Sequence, residues 1–198
     1  LEQLEGIFGF STNDVFAVGE NGTILHYDGK AWTAMDSGTT NDFQDIWGLS
    51  GSSVYAVGYN GMILHYDGSG WTAMDSGRSD YIMAVWGSRT GTVYFACQNN
   101  AILTLVNGIF ESVPIDPDIY GYEIWGFSDS NLFIADAFSG FFHYNGTDWS
   151  PLRKPGNKGR TVVDLEFHRQ NSNVLYAATY YAGVFVSPNQ ANQWINLG

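Results

Sequence analysis

A tandem repeat with a period of 39 residues constrains the fold of this chain more than any other feature of its sequence. An aromatic-glycine pair, Trp-Gly in three copies and Phe-Gly in the first, places its glycine at Gly9, Gly48, Gly87 and Gly126. A second aromatic position keeps the same step at Trp32, Trp71, Phe110 and Trp149. A more divergent fifth copy runs from Asp164 to Trp194. A fixed period indicates one supersecondary unit that is stacked repeatedly.

Each copy of the repeat is typical of four short strands. In the second copy, Val, Ile, Tyr, Phe and Trp concentrate at residues 46–49, 53–57, 62–66 and 70–74, and Gly, Asn, Asp and Ser separate these segments. The strands alternate poorly between polar and apolar residues, and a sheet that is covered on both faces needs no such alternation. The sequence therefore predicts an all-β fold, a β-propeller of five four-stranded blades of about 39 residues.

We expect a single β-propeller domain over residues 1–198, with blades at about 6–44, 45–83, 84–122, 123–163 and 164–198. Because no strand is left over to complete the last blade, closure of the ring would depend on packing between the first and last blades. A partial ring or a larger propeller is the alternative. The glycine of the innermost strand fits this geometry, since large side chains would clash where strands crowd the axis.

Two resemblances to known repeats support this fold. The segment from Trp47 to Trp71 resembles bacterial tandem repeats with a Trp-Gly pair, a Tyr-Ala-Val-Gly segment and an Ile-Leu-His-Tyr-Asp-Gly segment, which occur in secreted and surface propeller proteins. The last copy resembles the Asp-box repeats of sialidase-like, sortilin-like and xyloglucanase-like propellers. Their motif stands here as Ser187 to Trp194, with Asn189 for the aspartate and Ala191 for the glycine. In those families the Asp box is a folding turn, and the resemblance implies a glycoside hydrolase as an alternative function.

The charge balance narrows the range of partners. Lys and Arg total 8 against 20 for Asp and Glu, and the formal net charge of −12 repels phosphate backbones and anionic lipid headgroups. We therefore expect no nucleic-acid partner. We also expect no membrane insertion, because no apolar run approaches the roughly 20 residues of a membrane span. The single Cys97 cannot form an internal disulfide. The first resemblance implies an extracellular or cell-surface location, with a signal peptide removed.

Three histidines and one acidic loop are candidates for metal chemistry. His26, His65 and His143 occupy the same position in three copies, so they are distributed around a ring, whereas a zinc site needs unlike ligands that converge on one point. We interpret them as structural. The loop with Asp116 and Asp118 lacks the ligand order of a calcium loop. We expect no cofactor and rank calcium as a weak candidate.

An acidic position precedes the innermost strand in three copies, at Asp45, Glu123 and Asp164. In a propeller these carboxylates would surround one mouth of the central channel. Three roles are open for them: a carboxylate pair for glycoside hydrolysis, a cation or ordered-water site, or solvation of strand ends.

The copies differ most in the loops that lead into the innermost strand and in those between the second and third strands. Both sets of loops share one face of a propeller, and they carry Tyr59, Tyr81, Tyr120, Tyr122, Tyr180, Tyr181, Asp42, Asp80 and Asp118. Aromatic rings stack on sugars and cations and are enriched in protein-binding surfaces. The sequence favours a non-catalytic, monomeric module that binds a glycan or a protein ligand through this face. The alternatives are the hydrolase, a structural scaffold or fragment of a larger surface protein, and tyrosines that only cover blade edges.

Overall fold

The strands form five antiparallel sheets, each built from four consecutive strands. The computed structural model describes residues 2–99, 101–113, 115, 120–136, 140–152, 162–168, 171, 173–179, 183–189 and 193–197, and for 162–165 and 167 it describes the backbone alone. The five sheets are five blades of a β-propeller, which confirms the all-β fold of five four-stranded blades predicted from the repeat.

The strand bounds follow the repeat from blade to blade. The first blade contains β1 Leu4–Ser11, β2 Asp14–Gly19, β3 Ile24–Tyr27 and β4 Trp32–Met35. The second contains β5 Phe43–Ser50, β6 Ser53–Gly58, β7 Ile63–Tyr66 and β8 Trp71–Met74. The third contains β9 Ile82–Gly87, β10 Val93–Cys97, β11 Ala101–Val106 and β12 Ile109–Val113. The fourth contains β13 Gly121–Ser128, β14 Asn131–Asp136, β15 Gly140–Tyr144 and β16 Trp149–Leu152. The fifth contains β17 Val162–Phe167, β18 Leu175–Thr179, β19 Gly183–Ser187 and β20 Ile195–Asn196.

Asn-Gly pairs lie in the turn after the second strand in the first two blades. Asn21 and Asn60 have φ angles of 53° and 58°, inside short 3-10 turns that lead into the third strand. Asparagine and glycine tolerate this left-handed region better than other residues do. The turn therefore forms at the same point of the repeat in both blades.

Both faces of an inner blade are buried, which explains the poor alternation of its strands. We call the face toward the preceding blade the leading face, and in the second blade it includes Ile46 and Ala56, which pack with residues of the first blade. The opposite, trailing face includes Tyr55, Val57 and Ile63, which pack with residues of the third blade. All five side chains are 7% exposed or less.

An aromatic ring from one blade covers the glycine of the next, and this ring is Phe10 at Gly48 and an indole at the two following glycines. A Cβ atom on Gly87 would overlap the Trp47 ring, and one on Gly126 would lie 2.9 Å from Cη2 of Trp86. The ring centroids of Trp47 and Trp86 are 6.5 Å apart, and those of Trp86 and Trp125 are 6.3 Å apart. The crowding expected at the axis therefore comes from an aromatic ring of the preceding blade, and at Gly126 also from Leu132 of the same blade.

Gly87→Ala should lower the free energy of unfolding by about 1–3 kcal/mol, because an extra methyl group in a filled interface displaces its neighbours. Gly70→Ala is the matched control, since no heavy atom lies within 4 Å of a Cβ built at Gly70. Urea unfolding of both variants measures the difference. An equal effect of the two substitutions would contradict the close packing of the Trp47 ring on Gly87.

Candidate functional site

Two tyrosines stack across neighbouring loops on the face where the repeat copies differ. Tyr59 follows β6 and Tyr81 directly precedes β9, and their ring centroids lie 4.2 Å apart with planes 8° from parallel. Burial raises the pKa of Tyr59, and the nearby Tyr81 phenol and Asp42 carboxylate raise it further.

An ion pair fixes the loop that carries Tyr81. Arg78 donates from Nε to Oδ1 and from Nη2 to Oδ2 of Asp80, both at 2.6 Å. The backbone N–H of Asn99 donates to Oδ2 of the same carboxylate at 3.2 Å. Partial burial raises the pKa of Asp80, but the hydrogen bonds and charge of Arg78, together with the Asn99 amide, outweigh it and leave the pKa lowered. Asp80 thus joins the loop before β9 to the turn after β10.

Asp42 has a comparable role one blade earlier. Its Oδ1 accepts the backbone N–H of Asn21 at 2.8 Å, and its carbonyl oxygen accepts the N–H of Tyr59 at 3.1 Å. Asp42 and Asp80 were predicted as ligand-binding residues, and in the structure both carboxylates hold neighbouring loops in place. They can therefore orient the tyrosines beside them before any ligand arrives.

Three of the predicted tyrosines are exposed: Tyr81 at 36%, Tyr120 at 39% and Tyr122 at 42%. The backbone N–H of Tyr120 donates to the carboxylate of the buried Asp136, which anchors the loop before β13. Tyr122 is close enough to Tyr59 to affect its pKa. The structure thus brings four of the predicted tyrosines to one face. Tyr180, Tyr181, Asp118 and the calcium candidate Asp116 lie outside the described residues.

The innermost strands of all five blades line a central channel with a volume of about 650 Å³. Where these strands begin, a smaller pocket of about 180 Å³ is lined by Glu5, Gln44, Asp45, Met83, Tyr122 and Glu123. Asp45 and Glu123 therefore share one pocket, whereas the side chain of Asp164 lies outside the described part of the chain. We call this pocket the channel mouth.

The carboxylate of Asp45 is used within the fold. Its Oδ1 accepts the N–H of Ile46 at 2.7 Å, and its Oδ2 accepts the N–H of Val85 at 2.8 Å. Because Val85 lies on β9, Asp45 connects the innermost strands of the second and third blades. This bonding gives no support to Asp45 as one member of a hydrolytic pair.

Sequence reasoning missed Glu5, Gln44 and Met83 at the channel mouth. Together with Tyr122 they occupy one position of the repeat, directly before the position of Asp45. The sequence carried a signal for them, because this position changes from Glu to Gln, Met and Tyr, whereas two positions later the copies carry Ile or Val. A position that varies within a regular repeat is not needed for packing between blades, so its residues can differ to suit a ligand.

The three repeated histidines each contact a polar residue of their own blade. The Nε2 atoms of His26, His65 and His143 lie 2.8, 3.2 and 2.8 Å from side-chain oxygens of Asp14, Ser53 and Asn131. Burial lowers the pKa of His65 and His143, which favours their neutral form. Among the described residues, no group of three or more His, Cys, Asp or Glu side chains is arranged to hold a metal ion.

Comparison with known proteins shows the fold at low sequence identity. No family model matches the chain, and no curated protein matches it. A structure of YCF48 bound to D1 peptide is similar with a TM-score of 0.72 and 17% identity, over 98% of this chain and 66% of that chain. The extracellular domain of the putative one-component system BT4673 from B. thetaiotaomicron gives a TM-score of 0.76 and 15% identity, over 98% of this chain and 27% of that chain. The computationally designed Ika8 protein gives a TM-score of 0.70 and 16% identity, over 97% of this chain and 60% of that chain.

These likenesses and the five sheets define a β-propeller of repeated blades. The chain spans less than two thirds of the length of the YCF48 chain and about a quarter of the BT4673 chain. In the part of the chain that the structure describes, no helix combines the length and the apolar character that crossing a membrane requires.

Asp80→Asn should destabilise the protein by about 1 kcal/mol at neutral pH, the upper range for a partly exposed pair with good geometry. The lowered pKa of Asp80 means that its bonds contribute stability above the ordinary aspartate pKa of about 4. This contribution is lost as the pH falls through the folded-state value. Thermal unfolding of both proteins between pH 7 and pH 3 should therefore show a difference that shrinks in acid, and a constant difference would contradict the role of the carboxylate.

Proposed function

We propose that this protein is a non-catalytic binding module that holds a polypeptide segment on its loop face, the surface formed by Tyr59, Tyr81, Tyr120 and Tyr122. The observation that carries this proposal is the exposure of tyrosine rings on loops that Asp42, Asp80 and Asp136 fix through hydrogen bonds. Rings on loops that are already ordered lose little conformational entropy when a partner binds.

The partner that fits this face best carries lysine or arginine. The chain has a net charge of −12, and Glu5, Asp45 and Glu123 line the channel mouth beside Tyr122. Opposite charge speeds association and aligns a partner, and a cation also binds favourably over a tyrosine ring. The likeness to YCF48, whose structure holds a D1 peptide, supports a peptide rather than another class of ligand.

The same rings could stack on sugars, so a glycan is the second candidate. We also propose an extracellular or cell-surface location. This location is supported by the resemblance of residues 47–71 to repeats of secreted and surface bacterial proteins, and by the likeness to an extracellular domain. The Asp-box resemblance of the last repeat supports the propeller fold rather than a hydrolase, because the box is a folding turn in those families.

Tyr81→Ala and Tyr122→Ala should each weaken the binding of Lys- and Arg-rich peptides by about tenfold or more, equivalent to about 1.4 kcal/mol. Trp32→Ala should bind as the unaltered protein does, because Trp32 is a similarly exposed aromatic residue, at 46%, on the outermost strand of the first blade. Fluorescence anisotropy with labelled basic and acidic peptides measures the affinities. Added salt should weaken the binding of the basic peptides, because it screens the charges.

Circular dichroism of each variant serves as the folding control. Unchanged peptide binding in both tyrosine variants would contradict the assignment of the loop face. Binding to a glycan array that Tyr81→Ala abolishes, without binding to any peptide, would replace the polypeptide with a glycan as the ligand.

A further inference from the structure

The leading face of the first blade is exposed at positions that are buried in the other blades. Leu4 and Ile7 on β1 are 49% and 70% exposed. Phe43 and Ile82, at the position of Leu4 in the next two blades, are 0% exposed. Ile46, Val85 and Ile124, at the position of Ile7, are 1–2% exposed. At Leu4 and Ile7, the leading face of the first blade thus lacks the cover that the equivalent positions have, although Ala17 on the same face is buried.

The trailing face of the fifth blade has the same property. Val184 on β19 is 43% exposed and pairs with Ala178, as Phe141 pairs with Ala135 one blade earlier. The other blades have Ile24, Ile63, Ile102 and Phe141 at this position, and each of these side chains is 1% exposed or less. One uncovered face therefore exists at each end of the stack of sheets.

The chain itself indicates what covers such faces. In four interfaces, the leading face of a blade packs on the trailing face of the blade before it. The first leading face repeats three residues of the second, since Ile7, Ala17 and Leu25 correspond to Ile46, Ala56 and Leu64, and it has Leu4 where the second has Phe43. Surfaces with similar apolar residues in the same register suit a similar complement, an apolar trailing face that includes an aromatic residue such as Phe16 or Tyr55.

We propose that the two end faces dock further blades of this same repeat, so that the five sheets form an arc of a larger ring. The five innermost strands already surround one channel. The space between the end faces therefore suits individual blades better than a second five-bladed body. Docking there would bury Leu4, Ile7 and Val184 as the inner interfaces bury their counterparts.

Thiol labelling at Ile7 tests the proposal. An extended protein would carry a copy of residues 45–83 joined directly before Gly6, which preserves the 39-residue step. With Ile7→Cys in both proteins, the new thiol should react with a maleimide at least about tenfold more slowly in the extended one. The native Cys97 should not interfere, because it is 0% exposed and burial raises its pKa to about 12.

Two controls separate docking from a general effect of the extension. Ile109→Cys, at an isoleucine that is 63% exposed on the outermost strand β12, should react equally fast in both proteins. A second extended protein, with lysine at the copied position of Val57, should leave the thiol at position 7 reactive, because its trailing face is no longer apolar.

Slow labelling in the extended protein alone, with a higher urea midpoint than the unextended protein, supports the proposal. Equal labelling rates overturn it, and so does an extended protein that unfolds at lower urea. Protection that rises with the concentration of the unextended protein, and that Val184→Lys removes, also overturns it. That result would make a second copy of the chain the occupant.

Discussion

The packing of an aromatic ring from one blade on the glycine of the next is the contact on which the rest of the structure depends. Trp47 over Gly87 and Trp86 over Gly126 bring the innermost strands close enough for both faces of each sheet to be buried. A side chain at the glycine would hold the strands apart. At Gly48, the ring of Phe10 takes the place of the indole. Because each blade contacts only its neighbours, the stability of the fold is approximately a sum of such interfaces.

Because the contacts between blades are made by strand residues, the loops can differ in sequence without loss of the fold. The residues that pack are the ones that repeat, whereas the loops before the innermost strands differ in every blade. Variable loops still need fixed positions, and the structure supplies them through carboxylates. Asp42 caps the turn of the preceding blade, and Asp80 joins Arg78 to the turn at Asn99. The acidic character of the chain therefore serves loop order as well as the charge of the proposed binding face.

The fold could be predicted from the sequence because its determinants are local and periodic. The aromatic-glycine pair, the strand residues and the 39-residue step all appear in the printed order of residues. The site could be predicted only in part. Loop position identified Tyr59 and Tyr81, but their parallel stack depends on two loops from different blades. The amide that Asp42 accepts is 21 residues away, and no local pattern indicates that contact.

The exposure of Ile7 shows the limit of sequence reasoning most clearly. Ile7 and Ile46 are the same residue at the same repeat position, yet one is 70% exposed and the other 2%. The difference depends on which blade lies alongside, and this is a property of the assembly rather than of the local sequence. A repeat therefore predicts the complement that a face needs, but not whether that complement is present.

Hydrogen exchange of the backbone amides, read strand by strand by mass spectrometry, tests the central claim most directly. If contacts between neighbouring blades carry the stability, β5, β9 and β13, which have a blade on each side, should exchange more slowly than β1, which has one. Equal protection of β1 and β9 would contradict the account, because it would mean that stability resides within each sheet or that the end faces are already covered.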